Sequence, residues 1–363
     1  MRFYYKVGKE KYYNKLQAIQ QNLKTSNPIR FITPYNDTDF SVEPDSTLPS
    51  LMTESLRELR DTYKKVKLYY SGGADSYLIL ENMIANDIHV DEIVCLKSGI
   101  PTADFEIENY AEPVLKKFKN NLRRTKISIK TLSLDDYRNY YKQGVTKDKI
   151  QSGAAGIHTY FRLHWPLDFY GEEPKKDVLH IRGLEKPKII KNGDDYYTYF
   201  IDLDLEPHAN NYQFFCSDKI IYMKQSHMFL QTYKTLKIEN ESDVWNEEQA
   251  WNESVGRHIS NQSLPSKKLF FGTTNNYVEF KGIKLYYQNN KEHLAMKWCL
   301  ENCPDLLQSW YENLEQLKDI TANQWWNCGH PEMSSVGVFS DFYCLTKKNT
   351  KTVDELYPNG FEA

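Results

Sequence analysis

Val66-Lys67-Leu68-Tyr69-Tyr70-Ser71-Gly72-Gly73-Ala74-Asp75-Ser76-Tyr77 is the stretch on which the reading of this chain turns. The apolar run through Tyr70 predicts a strand, the two glycines a tight turn, and Tyr77 to Ile84 a helix. A strand that enters a helix through a glycine turn makes a cradle for phosphate: backbone N–H groups at the helix start point at the anion, and the macrodipole adds positive potential. Ser71 and Ser76 can add hydroxyl donors. Asp75 repels a bare phosphate, so its place in the turn calls for a divalent cation or a proton between carboxylate and ligand.

Outward from the turn, strand and helix patterns alternate, as in an α/β sheet with crossover helices. Strands are expected at Lys67 to Tyr70, Glu92 to Leu96, Lys126 to Thr131 and 177–182. Helices are expected at Ser76 to Ala85, Phe105 to Lys119 and from about Leu134. Residues 1–62 read as an N-terminal cap, with a helix near Asn14 to Leu23, a strand at Ile29 to Ile32 and a second helix from Met52 to Tyr63. Residues 63–205 form the core, ending in a hairpin whose strands, Lys188 to Lys191 and Tyr196 to Ile201, flank Asn192-Gly193. Residues 206–363 read as a mainly helical region, with helices at Lys219 to Leu236, Glu292 to Glu301 and Pro304 to Leu317 and weak strands near Leu269 to Phe271 and Tyr277 to Tyr287. The expected fold class is thus α/β, a parallel sheet with flanking helices plus a helical C-terminal region. Ligands in such sheets gather beyond the carboxyl ends of the strands.

Ser71-Gly72-Gly73-Ala74-Asp75-Ser76 behind a strand resembles the PP-loop of the N-type ATP pyrophosphatases, which include asparagine synthetase, GMP synthetase and tRNA thiolases. The resemblance is concentrated over roughly 65–100 and thins to about 205. It implies a HUP-like PP-loop core in which the loop holds the pyrophosphate of ATP while a substrate oxygen attacks the α-phosphorus. It also implies ATP and Mg²⁺ as cofactors, with Ser71, Gly72, Gly73, Ala74, Asp75 and Ser76 on the nucleotide and Asp75 on the metal. No G-x-x-x-x-G-K-[ST] string occurs, so a Walker-type loop is not indicated. The layout is also similar to PP-loop proteins of tailed bacteriophages.

Other candidates follow the expected strand ends. Arg182-Gly183-Leu184-Glu185-Lys186-Pro187 stands where asparagine-synthetase-like proteins carry a second loop over ATP, although the repeated glycines and the Asp-Glu pair of that loop are missing. Arg182 and Lys186 are of the type that balances charge growing on a phosphate, and Gly183 matches in kind. Lys97 and Gly99, closing the second strand, stand where PP-loop proteins commonly place adenine; a plain strand-to-helix loop reads equally well. His158 and Arg162, behind Ser152-Gly153-Ala154-Ala155-Gly156, are candidates to meet an acidic substrate. Asn327-Cys328-Gly329-His330 resembles part of the tail of sulfonucleotide reductases, without its acid and away from the extreme C-terminus. Cys299 and Cys303, four apart on an expected helix, read as packing residues before metal ligands.

Bulk properties set outer limits. The formal charge of −3 over 363 residues gives no overall pull toward nucleic acid, and Lys116-Lys117-Phe118-Lys119 with Arg123-Arg124 reads first as a solvated helix face. The six cysteines include no C-x-x-C pair, which argues against a disulfide framework or a structural zinc site. With no run of about 18 apolar residues and no signal-peptide pattern, a cytoplasmic protein without membrane association is expected, in the host cytoplasm if viral.

The expected activity is that of an AMP-forming ligase: ATP adenylates a substrate carboxylate or amide oxygen, and an amine or ammonia then displaces AMP. No cysteine follows Met1, so a glutaminase domain is not expected and nitrogen comes free, from a small amine or from a partner. Two alternatives stay open, namely modification of a tRNA or other nucleic-acid base through an adenylated carbonyl, and a non-catalytic nucleotide-binding module. The acceptor, small molecule or nucleic acid, and the oligomeric state are left open by the sequence.

Overall fold

The computed structural model describes residues 3–100, 104, 107–142, 177–183, 187–192, 194–200, 202, 211–235, 258–259, 298–299, 301–306, 308–309, 312, 316, 338 and 340–356. Its centre is a five-stranded parallel sheet built from β4 (Lys65–Tyr69), β5 (Glu92–Lys97), β6 (Lys126–Thr131), β7 (Val178–Arg182) and β10 (Asn211–Gln213). The spatial order is β10-β7-β4-β5-β6, with every neighbouring pair parallel. The chain therefore starts in the middle, moves outward through β5 and β6, and returns to the other side of β4 for β7 and β10. The reversal falls between β4 and β7, and such a switch point opens a crevice at the carboxyl ends of the strands.

Central strands of a parallel sheet are covered on both faces, which explains the unbroken burial of Val66 to Tyr69. Lys67 is the charged member of that run. It is buried with Glu92, which also meets Ser128 Oγ at 2.7 Å, Lys126 Nζ at 3.1 Å and Lys65 Nζ at 3.2 Å. Burial works against the Glu92 charge, but the bonds from Ser128 and Lys126 and the charges of Lys67 and Lys65 prevail and bring its pKa down to about 2.

The helices differ from expectation in ways that trace to single residues. Helix α2 spans Leu48–Thr62, earlier than Met52, because Thr47 accepts from the Ser50 N–H and Pro49 sits in the first turn, where its missing N–H costs nothing. The expected helix at Phe105 to Lys119 is a π-turn, Ile107–Ala111, running into a short helix, Glu112–Lys117. Pro113 at the join cannot donate the usual bond back to residue 109, so the register widens there. Helix α1 spans Lys15–Thr25 with Asn14 as its N-cap, and β3 spans Ile29–Ile32.

The N-terminal residues form an antiparallel sheet, β2-β1-β3, from β1 (Tyr4–Val7), β2 (Glu10–Tyr12) and β3. A second antiparallel sheet has the order β11-β8-β9-β12-β13, from β8 (Lys188–Asn192), β9 (Asp195–Tyr199), β11 (His258–Ile259), β12 (Phe342–Cys344) and β13 (Thr350–Lys351). The hairpin closes on the pair Asn192 and Asp195. Asp202 joins the two antiparallel sheets: it takes the Lys15 ammonium at 2.7 Å, the Tyr5 hydroxyl at 2.7 Å and the Val338 N–H at 2.9 Å, all out of water.

Packing is continuous across the boundaries expected at 62/63 and 205/206. One apolar cluster runs from Tyr5 and Phe31 through Leu68 and Ile79 to Phe214, Tyr222 and Leu345. Past 205 the described residues contain strands as well as the helix Lys219–Thr235, and β10 belongs to the parallel sheet. The strands expected at 269–271 and 277–287, and most of the helices expected at 292–301 and 304–317, lie outside the described residues. Among the described residues, no helix is long and apolar enough to cross a membrane.

Candidate functional site

The site is built where β4 ends. Tyr70 donates its N–H to Val94 O at 2.9 Å, keeping the chain in the sheet for one more residue, and the backbone then turns at Gly72 with φ of +79°. Only glycine adopts that conformation without strain. A β-carbon on Gly72 would also meet the Ala111 amide nitrogen at 2.7 Å, so the turn is seated against the π-turn. Gly73 follows with φ −73° and is the N-cap of α3, which spans Ala74–Ala85.

No side chain caps α3. Its first N–H groups, those of Ala74, Asp75 and Ser76, are among the donors a helix cannot satisfy internally, and they lie at the switch point of the sheet. The serines brace the turn: the Ser76 hydroxyl donates to Gly73 O at 3.1 Å and accepts from the Ser71 N–H at 3.3 Å, while the Gly73 N–H donates to Ser71 Oγ at 3.3 Å. Ser76 is buried, whereas Ser71 is exposed. Asp75 stands in the first turn of α3, half-buried.

Gly183 comes from β7 to the same place. A β-carbon on it would lie 2.8 Å from the Ser76 amide nitrogen and 2.9 Å from the Asp75 carbonyl carbon. Arg182, just before it, is buried with its guanidinium carbon 4.4 Å from the centre of the Tyr69 ring, a cation–π contact. The Tyr69 hydroxyl lies 3.1 Å from His180 Nδ1. The structure thus brings Ser71, Gly72, Gly73, Ala74, Asp75, Ser76, Arg182 and Gly183 to one strand edge. Lys186 lies outside the described residues, as do His158, Arg162 and the Asn327 to His330 segment.

Lys97 and Gly99 stand one strand over, on the β5 side, and their polar groups are engaged by protein. Lys97 Nζ meets Glu108 at 3.0 Å and Glu112 at 3.1 Å, bonds that raise its pKa above the ordinary lysine value. Gly99 has φ of +73°, and its N–H donates to Asp104 Oδ2 at 3.0 Å. The other Asp104 oxygen accepts from both the Ser98 N–H and the Ser98 hydroxyl. The Tyr137 hydroxyl donates to Ser98 O at 2.7 Å. Asp104 closes this loop from inside, a role that no signal in the sequence marked beyond an Asp near a Ser-Gly turn.

Cys299 and Cys303 are both buried, and burial leads the rise in the Cys303 pKa, which favours its thiol form. Among the described residues, no group of three or more His, Cys, Asp or Glu side chains is arranged to hold a metal. A further buried polar group at the strand edge, Gln213 at the end of β10, carried no sequence signal at all.

No protein-family model, no curated protein and no solved structure matches this chain.

Proposed function

We propose that this protein is an ATP-dependent, AMP-forming enzyme of PP-loop type, with a HUP-like core whose loop Ser71 to Ser76 seats the pyrophosphate end of ATP. The observation that carries this reading is the start of α3. It has no side-chain cap, is entered through Gly72 at positive φ, and lies at the switch point between β4 and β7.

ATP carries several negative charges on its β- and γ-phosphates, and three aligned N–H groups with the helix dipole behind them offset part of that charge without reorganisation. Asp75 is the residue to hold Mg²⁺. A single carboxylate fits this ion, which keeps several waters and takes phosphate oxygens for the remaining positions. With the β,γ end fixed by the loop, the α-phosphorus would be the centre left open to an acceptor. The acceptor oxygen forms a bond to it, the bridging bond breaks, and pyrophosphate leaves with the electron pair. Arg182 at the strand edge balances the charge that grows on the departing phosphate, and Lys186, four residues later in the sequence, is the second candidate for that role. An amine or ammonia then attacks the activated carbon, and AMP departs with the original oxygen.

The direct test incubates the protein with α-labelled ATP, Mg²⁺ and pools of metabolites or nucleic acid. AMP with pyrophosphate, lost in Asp75→Ala, is the expected result. ADP with phosphate, or AMP formation unchanged by Asp75→Ala, contradicts the reading.

A further inference from the structure

At the carboxyl edge of the parallel sheet, three residues stand abreast on one face. Tyr69 on β4 pairs with Arg182 on β7, and Arg182 pairs with Gln213 on β10. Neighbouring strands are about 4.8 Å apart, so Gln213 stands roughly 10 Å across the sheet from the strand that feeds the loop. That places it at the same carboxyl edge as the loop and on the side away from Asp104 and Lys97, whose groups are already engaged by protein.

Gln213 is 1% exposed, and its Oε1 is buried with no hydrogen-bond partner. A buried carboxamide oxygen without a donor is costly, and Leu or Met would fill the same volume without that cost. A ligand that brings an N–H to this oxygen accounts for the glutamine. On the neighbouring strand, Arg182 supplies a pure donor, its guanidinium carbon 4.4 Å from the centre of the Tyr69 ring. A donor residue and an acceptor residue paired across neighbouring strands match a group that has both a carbonyl oxygen and an N–H. A carboxylate offers acceptors only, and its charge is repelled by the carboxamide oxygen.

We infer that Gln213 is a specificity residue of the acceptor subsite, and that the acceptor is an amide or lactam rather than a carboxylate. The inference rests on the ATP reading of the loop. In the chemical step, the amide oxygen bonds to the α-phosphorus as pyrophosphate leaves, giving an O-adenylyl imidate whose nitrogen keeps its proton and gains positive charge. The bond from that N–H to Gln213 therefore strengthens along the reaction, so the residue acts on turnover as well as binding. When the amine adds at carbon, AMP leaves and the nitrogen returns to neutrality.

The test measures binding of matched probes, nicotinamide with nicotinate and 2-pyrrolidone with butyrate, by ligand-observed NMR with saturating α,β-methylene ATP and Mg²⁺. The wild type, Gln213→Leu and Gln213→Met are compared after thermal melting has shown them folded. The amide of each pair is expected to bind about tenfold more tightly than its carboxylate, and either variant to lose about tenfold for the amide while nucleotide affinity stays within about twofold. Equal or tighter binding of the carboxylates, unchanged amide affinity in the variants, or binding of no probe overturns the inference. Failure of the nucleotide analogue to bind the wild type would instead strike the loop reading, and the same pairs measured without nucleotide would still decide the role of Gln213.

Discussion

Gly183 lies so close to the backbone of Ser76 that a β-carbon on it would sit 2.8 Å from the Ser76 amide nitrogen. The end of β7 and the first turn of α3 are thus locked backbone to backbone, and the geometry of the proposed phosphate cradle depends on a residue far from it in sequence. Gly183→Ala forces the two apart. The expected outcome is a loss of about 1–3 kcal/mol in stability from overpacking, together with at least about tenfold weaker ATP binding by calorimetry. Native affinity in this variant would detach Gly183 from the site.

The two glycines of the loop answer differently to the same change. Gly72 has φ of +79°, and its β-carbon would run into the Ala111 amide nitrogen at 2.7 Å; Gly73 has an ordinary φ of −73° and would meet only Ser71 Oγ at 3.3 Å. Gly72→Ala is expected to cost about 2–4 kcal/mol by chemical denaturation, the sum of a left-handed backbone and a steric clash, and Gly73→Ala under about 1 kcal/mol. Equal costs would show that the turn is not held in this conformation.

β6 (Lys126–Thr131) and β3 (Ile29–Ile32) are legible residue for residue, because local runs of β-formers are bracketed by turns. The loop Ser71 to Ser76 is legible because glycine at positive φ leaves a mark. The meeting of Gly183 with Ser76 is not legible, since it follows from parallel pairing of Tyr69 with Arg182, a contact between distant segments. Gln213 is hidden for the same reason, on a strand of three residues with no periodic signal. Pro49 and Pro113 were readable as residues but ambiguous in effect: one opens a helix and the other widens one.

Glu92 makes stability depend on acid. Its pKa in the folded protein, about 2, lies below the ordinary glutamate value of 4.5, so folding favours the charged form. The resulting stability is complete above the unfolded value and is lost as pH falls through the folded one. Glu92→Gln is expected to cost on the order of 2 kcal/mol at pH 7, part of it screened by salt because Lys65 and Lys126 face solvent. Measured against wild type from pH 7 down to pH 2, the difference should shrink below about pH 4.5; a constant difference would mean that the charge plays no part.

Lys15 and Asp202 tie the N-terminal sheet to the second antiparallel sheet, and both side chains are out of water. Lys15→Met leaves the Asp202 carboxylate with the Tyr5 hydroxyl and the Val338 N–H but no counter-charge. Loss of one partner of a buried pair costs about 3–5 kcal/mol. Denaturant unfolding should show that loss in a single transition, because the apolar cluster is continuous from Tyr5 to Leu345. A separate early transition of the N-terminal sheet would contradict that continuity.

The most direct measurement is a crystal structure of the protein with Mg²⁺ and α,β-methylene ATP, which blocks the scissile bond. The β- and γ-phosphate oxygens are expected within hydrogen-bonding distance of the amides of Ala74, Asp75 and Ser76, with Mg²⁺ on Asp75. Nucleotide bound elsewhere, with the start of α3 left without phosphate, would contradict the account.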